Sequence, residues 1–553
     1  MKKRFITLIS IAAVAMSLTA CSKWINEALD IDPSDRYSVA TVWSSANTAD
    51  QYLLGLYNFI KENHGTVGGN DNFTLYWDAY SDLIKSNSWN QYNHPYNMSF
   101  LQGPSMFNGQ NAGAFECWSD CYTRIRRCNE FLRDVKVYGA AFGDDYIVTR
   151  SGEARLVRAW AYLKLMMVYG KCVLRENVDG PDQNDKPLAS PDDVWDFIEA
   201  DLRYAGENIA LDQPRGRLTR AAAWALLSRA SLFAERWDVA VEAAEKCEEC
   251  GAALDPSYAN VFNDIDSPEL ILTFEFVQNK LTHRGDVFFR PLGDGGDNAL
   301  HRGATMFAAF NPTSELVDSY EMADGTPFSW DAHGKNPYAG REPRFYASIL
   351  YNGAPWEGRT IETFEGGADQ IVEFNTSGAA GSTVTGYYLR KFITENETGW
   401  EKYGSDHYGI ALRFGEVLLN KAEAYARDGD FINAYKTLNR IRTRVGLPEK
   451  SGSDLGKAME DIKHERIVEL AGEGFRFWDL RRWRDAVEVI DGKNFHGCWI
   501  TKNGDGSFSY KQVSCDGSGK SHTFLESYYA FSLPITEISN NNSIDESDNN
   551  PGW

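Results

Sequence analysis

Apolar residues at three- and four-residue steps mark one helix after another along this chain, most plainly between Leu412 and Leu447. Phe414, Val417, Leu418, Ala422 and Tyr425 share one helical stripe. Phe431, Ala434, Tyr435, Leu438, Ile441 and Val445 share a second. Between them Arg427-Asp428-Gly429-Asp430 breaks the period as a tight turn, and Gly446 with Pro448 ends the second helix. Two amphipathic helices on so short a turn pack antiparallel, in a unit about as long as a tetratricopeptide repeat (~34 residues). Small Ala422 and Ala434 fall where the two helices touch. The same spacing predicts helices over 46–62, 114–137, 153–169, 191–208, 455–470 and 475–487. Residues 217–251 repeat the hairpin pattern with Ala240 in the place of Ala434, so about four such hairpins form a helical superstructure.

Two stretches lack this period. Residues 65–104 are rich in Asn, Gly, Trp and Tyr, and a long aperiodic stretch with such aromatic content reads as functional rather than disordered. Between 255 and 400, strand-like runs such as Ile271-Leu272-Thr273-Phe274 and Tyr387-Tyr388-Leu389 sit among Gly, Pro and Asn, as a mixed region inserted before the last hairpin. A β-hairpin is expected from Cys498 to Cys515 around Asn503-Gly504-Asp505-Gly506. The fold class is therefore mainly α: tetratricopeptide-like helical hairpins with an irregular, loop-rich α+β subdomain. The expected organisation is a leader over 1–20, a helical region over 21–254 that carries the 65–104 segment, the loop-rich subdomain over 255–400, and a helical region over 401–553.

The first residues change the picture of where the chain works. Lys2-Lys3-Arg4 precede an apolar run from Phe5 to Leu18, too short to span a bilayer and of signal-peptide form. Leu18-Thr19-Ala20-Cys21 resembles the lipobox of bacterial lipoproteins, which implies that Cys21 becomes an acylated N-terminus tethered to a membrane. A formal net charge of -22 argues against nucleic acid and against anionic lipid as partners. Eight cysteines follow Cys21. Cys117, Cys121 and Cys128 share a helix face as small buried residues, Cys247 and Cys250 lack a second metal-binding pair, and Cys498 with Cys515 is left open as a disulfide.

Several stretches together resemble the SusD/RagB family of surface glycan-binding lipoproteins. They are LDIDPSDRYS from Leu29, EARLVRAWAYLKLMMVYG from Glu153, GRLTRAAAWALLSRASLF from Gly216 and REPRFYASIL from Arg341. LRFGEVLLNKAEAYARDGD with LNRIRTRVGLP, ERIVELAGEGFRFWDLRRW from Glu465, and the closing LPITEI and NNPGW complete the set in the family's order. The resemblance implies outer-membrane localisation facing the cell exterior, capture of an oligo- or polysaccharide, and delivery to a SusC-like TonB-dependent transporter. A peptide-capturing relative of the same family is the alternative, and a glycan-degrading enzyme a more distant one.

Sugars present apolar C–H faces and many hydroxyls, so binding calls for flat aromatic platforms edged by amide or charged side chains. The 16 tryptophans supply the candidates. Trp77 and Trp89 stand out as platforms, with Asn87, Asn90 and Tyr92 to bond hydroxyls, while Trp330 and Trp356 lie in similarly polar loops. Arg290, beside Phe288 and Phe289, is placed to bond a hydroxyl or a uronic acid carboxylate, with a structural salt bridge as its competing role. No catalytic motif and no cofactor is expected. Asn503 to Gly506 echoes part of a calcium loop but lacks carboxylates at its ends, so a turn explains it. Glu465, Glu469 and Glu473 beside Arg466, Arg476, Arg481 and Arg482 read as ion pairs on a helix surface.

Overall fold

A computed structural model of the chain describes residues 38–62, 75–86, 112–178, 180, 184–374, 381–393, 395–516 and 521–553. The leader, Cys21, Asn87, Trp89, Asn90 and Tyr92 lie outside the described residues. The periodic segments are helices: α1 (Ala46–Glu62), α2 (Trp118–Tyr138), α3 (Asp144–Tyr169), α4 (Pro191–Asn208), α5 (Arg220–Phe233), α6 (Trp237–Glu249), α7 (Phe414–Arg427), α8 (Phe431–Arg444) and α9 (Leu455–Glu469). Their starts follow capping chemistry. The side chains of Ser190, Thr219, Asp430 and Asp454 each accept a bond from a first-turn backbone N–H of α4, α5, α8 and α9.

Each helix from α2 to α6 packs on the next, and α6 packs on α7 across the 255–400 insertion. The last hairpin therefore continues the earlier stack. Ala240 and Ala424 meet in its seam, and Ala422 and Ala434 are buried as expected from their size. Gly206 on α4 is needed because a Cβ there would lie within 2.8 Å of the Trp224 indole of α5.

Three helix bounds differ from the periodic reading, the first because Gly113–Phe115 form a separate 3-10 turn and α2 starts only at Trp118. α3 begins nine residues earlier than the apolar stripe, where Asp144 and Asp145 occupy a first turn that favours negative charge. The 475–487 helix is split into α10 (Arg476–Trp483) and α11 (Ala486–Ile490), because Arg484 adopts a left-handed backbone with φ of 64°.

The insertion is tied into the frame by short antiparallel pairs. β1 (Ile84–Ser86) pairs β3 (Phe310–Pro312), β2 (Leu270–Phe274) pairs β8 (Gly409–Arg413), and β4 (Ile349–Leu350) pairs β7 (Tyr388–Leu389). β5 (Pro355–Trp356) and β6 (Arg359–Thr360) form a small hairpin. The expected late hairpin is β9 (His496–Lys502) with β10 (Phe508–Ser514). One continuous apolar core runs through helices and insertion alike.

The glutamates assigned to a helix surface are instead buried, at 0 % exposure for Glu465 and Glu469 and 6 % for Glu473. Arg344 of the insertion bonds Glu465 and Glu469. Arg413 at the end of β8 bonds Glu269, Glu469 and Glu473, while Arg442 and Arg444 of α8 complete the set. These groups hold the insertion onto α8 and α9. Such a cluster is tolerable inside only because nearly every charge meets an opposite one.

All eight described cysteines are free. Cys498 stands opposite Gln512, so Cys515, one residue past the end of β10, lies three residues farther along the chain and its side chain emerges on the other face of the ribbon. That register forbids a Cys498–Cys515 bridge.

Candidate functional site

The solvent side of the β9–β10 hairpin forms one side of a groove of about 580 Å³. Strand alternation sets its chemistry. Cys498 and Ile500 turn inward, so Trp499 between them faces out, half-exposed, with Lys511 directly opposite on β10. Ile371, Val372 and Val384 supply apolar lining, Phe374 another aromatic ring, and Glu373, Asn494, Lys511 and Ser514 polar groups. The hairpin is pressed onto residues 383–386 because Gly497 lets the backbones meet: a Cβ there would lie within 2.8 Å of three Thr385 backbone atoms. In that seam Cys498 N–H donates to the Thr385 carbonyl at 2.8 Å.

Trp499 differs from every other described tryptophan. It is the one that is neither buried nor packed on the apolar core, and its indole N–H bonds no described residue. Buried tryptophans normally find a partner for that N–H. A half-exposed indole face whose donor meets no described acceptor, edged by an ammonium, an amide and a carboxylate, can stack on a sugar ring and bond its hydroxyls.

A buried ionic corner lies behind the groove, against its Phe374. The Lys85 ammonium lies 2.6 Å from Asp516 Oδ1 and 4.7 Å from the centre of the Phe374 ring. His522 Nε2 meets the same Asp516 oxygen at 3.0 Å, and Phe495 N–H donates to the other. Burial raises the Asp516 carboxyl, but the bonds from His522 and Lys85 reverse that and hold it below the usual carboxylate range. Burial also pushes the His522 imidazole down, so it stays neutral at neutral pH. The corner fixes β1, which leaves the described region at Ser86, against the hairpin that carries Trp499.

The residues picked from the sequence are scattered. Arg290 is fully buried and paired with Asp286 at 2.8 Å and Glu357 at 2.9 Å, so its structural role prevails over ligand contact. Trp356 is 2 % exposed and donates its indole N–H to Asp294. Its polar partner comes from far along the chain rather than from the neighbours that suggested a loop platform. Trp330 is half-buried and donates to Asp318 at 2.8 Å. Trp77 is half-buried among the helices, stacked on Phe115 at 5.0 Å and edge-on to Trp478 at 5.4 Å. Neither lines the Trp499 groove. Trp499 and Lys511 were not among the sequence candidates, although the period-two pattern of Gly497 to Thr501 would have pointed Trp499 to solvent.

Comparison with known proteins gives a consistent picture. The SusD family matches residues 268–553. A second family, described as starch-binding and associating with the outer membrane, matches residues 24–232. A SusD-like protein of Bacteroides ovatus is 24% identical, covering 95% of this chain and 92% of its own length. The solved structure of a SusD-like protein from Bacteroides fragilis superposes with a TM-score of 0.78 at 26% identity, over 94% of this chain and 100% of that one. A SusD-like carbohydrate binding protein from the same species gives 0.73 at 23%, over 90% and 99%.

Proposed function

Because the chain belongs to the SusD family, we propose that it is a cell-surface protein that holds an oligo- or polysaccharide and does not transform it. The observation that carries this reading is the half-exposed Trp499, whose indole N–H bonds no described residue, on a 580 Å³ groove. The carbohydrate-binding name of one structural relative and the starch-binding description of the second family agree with it. The sequence candidates Trp89, Asn90 and Tyr92 are kept as ligand contacts in this reading on their aromatic and amide chemistry alone. Trp330 is a secondary contact at most, and Trp77 belongs elsewhere.

The binding names of the relatives support a reading without hydrolysis. The finer proposals follow from the family: acylation at Cys21, display on the outer face of the outer membrane, and delivery of the glycan to a TonB-dependent transporter.

Affinity gels and calorimetry against a panel of polysaccharides test the central claim. Saturable binding to at least one, with no release of reducing sugar, is the expected result. Tight binding of peptides and of no glycan would replace it with the peptide-capturing alternative. Copurification with a large β-barrel protein from gently solubilised outer membranes tests the partner, and recovery of the protein as a free monomer would reject it. Cys21→Ala should release the protein from the membrane fraction.

A further inference from the structure

A second cavity lies on the helical side of the molecule, away from Trp499. It is a crevice of about 60 Å³ between α3, α5, α7, α9 and α10, lined by Trp77, Trp160, Trp478 and Phe475 among others. Lys164 of α3 also lines it. This lysine is 7 % exposed, and its ammonium sits 4.2 Å from the Trp77 ring centre and 4.9 Å from that of Trp478. Among the described residues it has no hydrogen-bond acceptor and no carboxylate partner. That is unusual for a buried charge in this protein, where the neighbouring cations are all engaged. Arg229 pairs with Glu416, Arg466 with Asp479, and Arg482 with Glu423 and Asp479.

The two carboxylates that line the crevice are spent. Both Asp479 oxygens are taken by Arg466 and Arg482, and both Glu473 oxygens by Arg413 and Lys391. Two indole faces recover part of the cost of burying the Lys164 charge, but its three N–H donors still lack an acceptor among the described residues. The space is of the right size for one. A water needs about 10–15 Å³ of such volume, so 60 Å³ accommodates a chloride or a carboxylate with its neighbouring water.

We infer that this crevice is a binding site for a small anion, an inorganic ion or a carboxylate of similar size, seated on the Lys164 ammonium between Trp77 and Trp478. The site shares no lining residue with the Trp499 groove and does not depend on the glycan reading.

The test uses the full mature chain. Sodium chloride, acetate and formate are titrated at constant ionic strength against a bulky sulfonate too large for the crevice, with tryptophan fluorescence and melting temperature as readouts. A saturable response to at least one small anion is expected, weakened about tenfold or more in Lys164→Met. A response to chloride and acetate alike marks a general anion seat, whereas a response to the carboxylates alone marks an organic acid. Bromide soaked into crystals of the unaltered protein gives an independent reading if Lys164→Met does not fold: an anomalous peak against the Lys164 Nζ is expected from a general seat. Absence of any saturable response in the unaltered protein, with no bromide peak at Lys164, would overturn the proposal. So would an identical response in a folded Lys164→Met.

Discussion

Replacing Trp499 by Ala separates a binding platform from a core residue. An aromatic ring that stacks on a ligand ring contributes about 1–3 kcal/mol. Its loss should therefore raise the dissociation constant for the bound glycan by roughly 5- to 150-fold. The same substitution should leave stability almost untouched. The indole packs on no part of the core, makes no hydrogen bond to a described residue, and faces only Lys511 across the ribbon. A surface change of this kind shifts stability by about 0.5 kcal/mol or less. Trp356→Ala is the matched control. That ring is 2 % exposed and bonded to Asp294, so its removal should cost about 3–5 kcal/mol of stability. Calorimetry with the glycan found in the panel, beside urea titration of each variant, reads both quantities. Unchanged affinity in a folded Trp499→Ala would remove the groove from the site. A large loss of stability in the same variant would show the ring to be structural.

Three further outcomes follow from buried groups. Burial raises the Glu469 carboxyl, but Arg444, Arg413 and Arg344 outweigh that and hold it well below the usual range, so its stabilisation is present at neutral pH and is lost as pH falls through the folded value. Glu469→Gln should lower stability by about 3–5 kcal/mol at pH 7, seen as a lower urea midpoint; an unchanged midpoint would mean the guanidinium groups do not need it. Asp78 has the opposite sign, because burial pushes its carboxyl up to about 7, against the backbone bonds from Gly474 and Arg476. The folded protein then holds a proton there that the unfolded chain has lost, and stability falls from about pH 4 to 7 by at most about 1.4 kcal/mol per unit. Asp78→Asn should flatten that slope in urea titrations across this range, and parallel pH profiles would reject the assignment. Gly206→Ala should cost about 1–3 kcal/mol by forcing a methyl into the Trp224 indole, which thermal melts would show.

The helices were legible because a 3.6-residue apolar period survives any tertiary context, and α1 and α4 match the expected bounds. The buried Arg–Glu cluster was not. An amphipathic reading sends every charge to water, and nothing local in Glu465 to Glu473 says that their partners arrive from residues as distant as Arg344 and Arg413. Two of the helix discrepancies have local causes that apolar spacing ignores: acidic first-turn residues in α3, and one left-handed residue at Arg484.

The tryptophans show where reasoning from composition fails and what should replace it. Polar neighbours made Trp356 look exposed, yet an indole has one donor, and a buried tryptophan needs a polar partner as much as a solvated one does. Polar context therefore cannot separate platform from core. Backbone periodicity can. In β9, Cys498 and Ile500 point inward and fix Trp499 outward, whatever the loops around it contain. A ring held on a strand is also better placed to bind than one on a loop, because the register with β10 and the close Gly497 contact set its position before any ligand arrives. The cost of ordering the backbone that carries the ring has then been met in folding. The groove on β9–β10 is accordingly a preformed part of the proposed site.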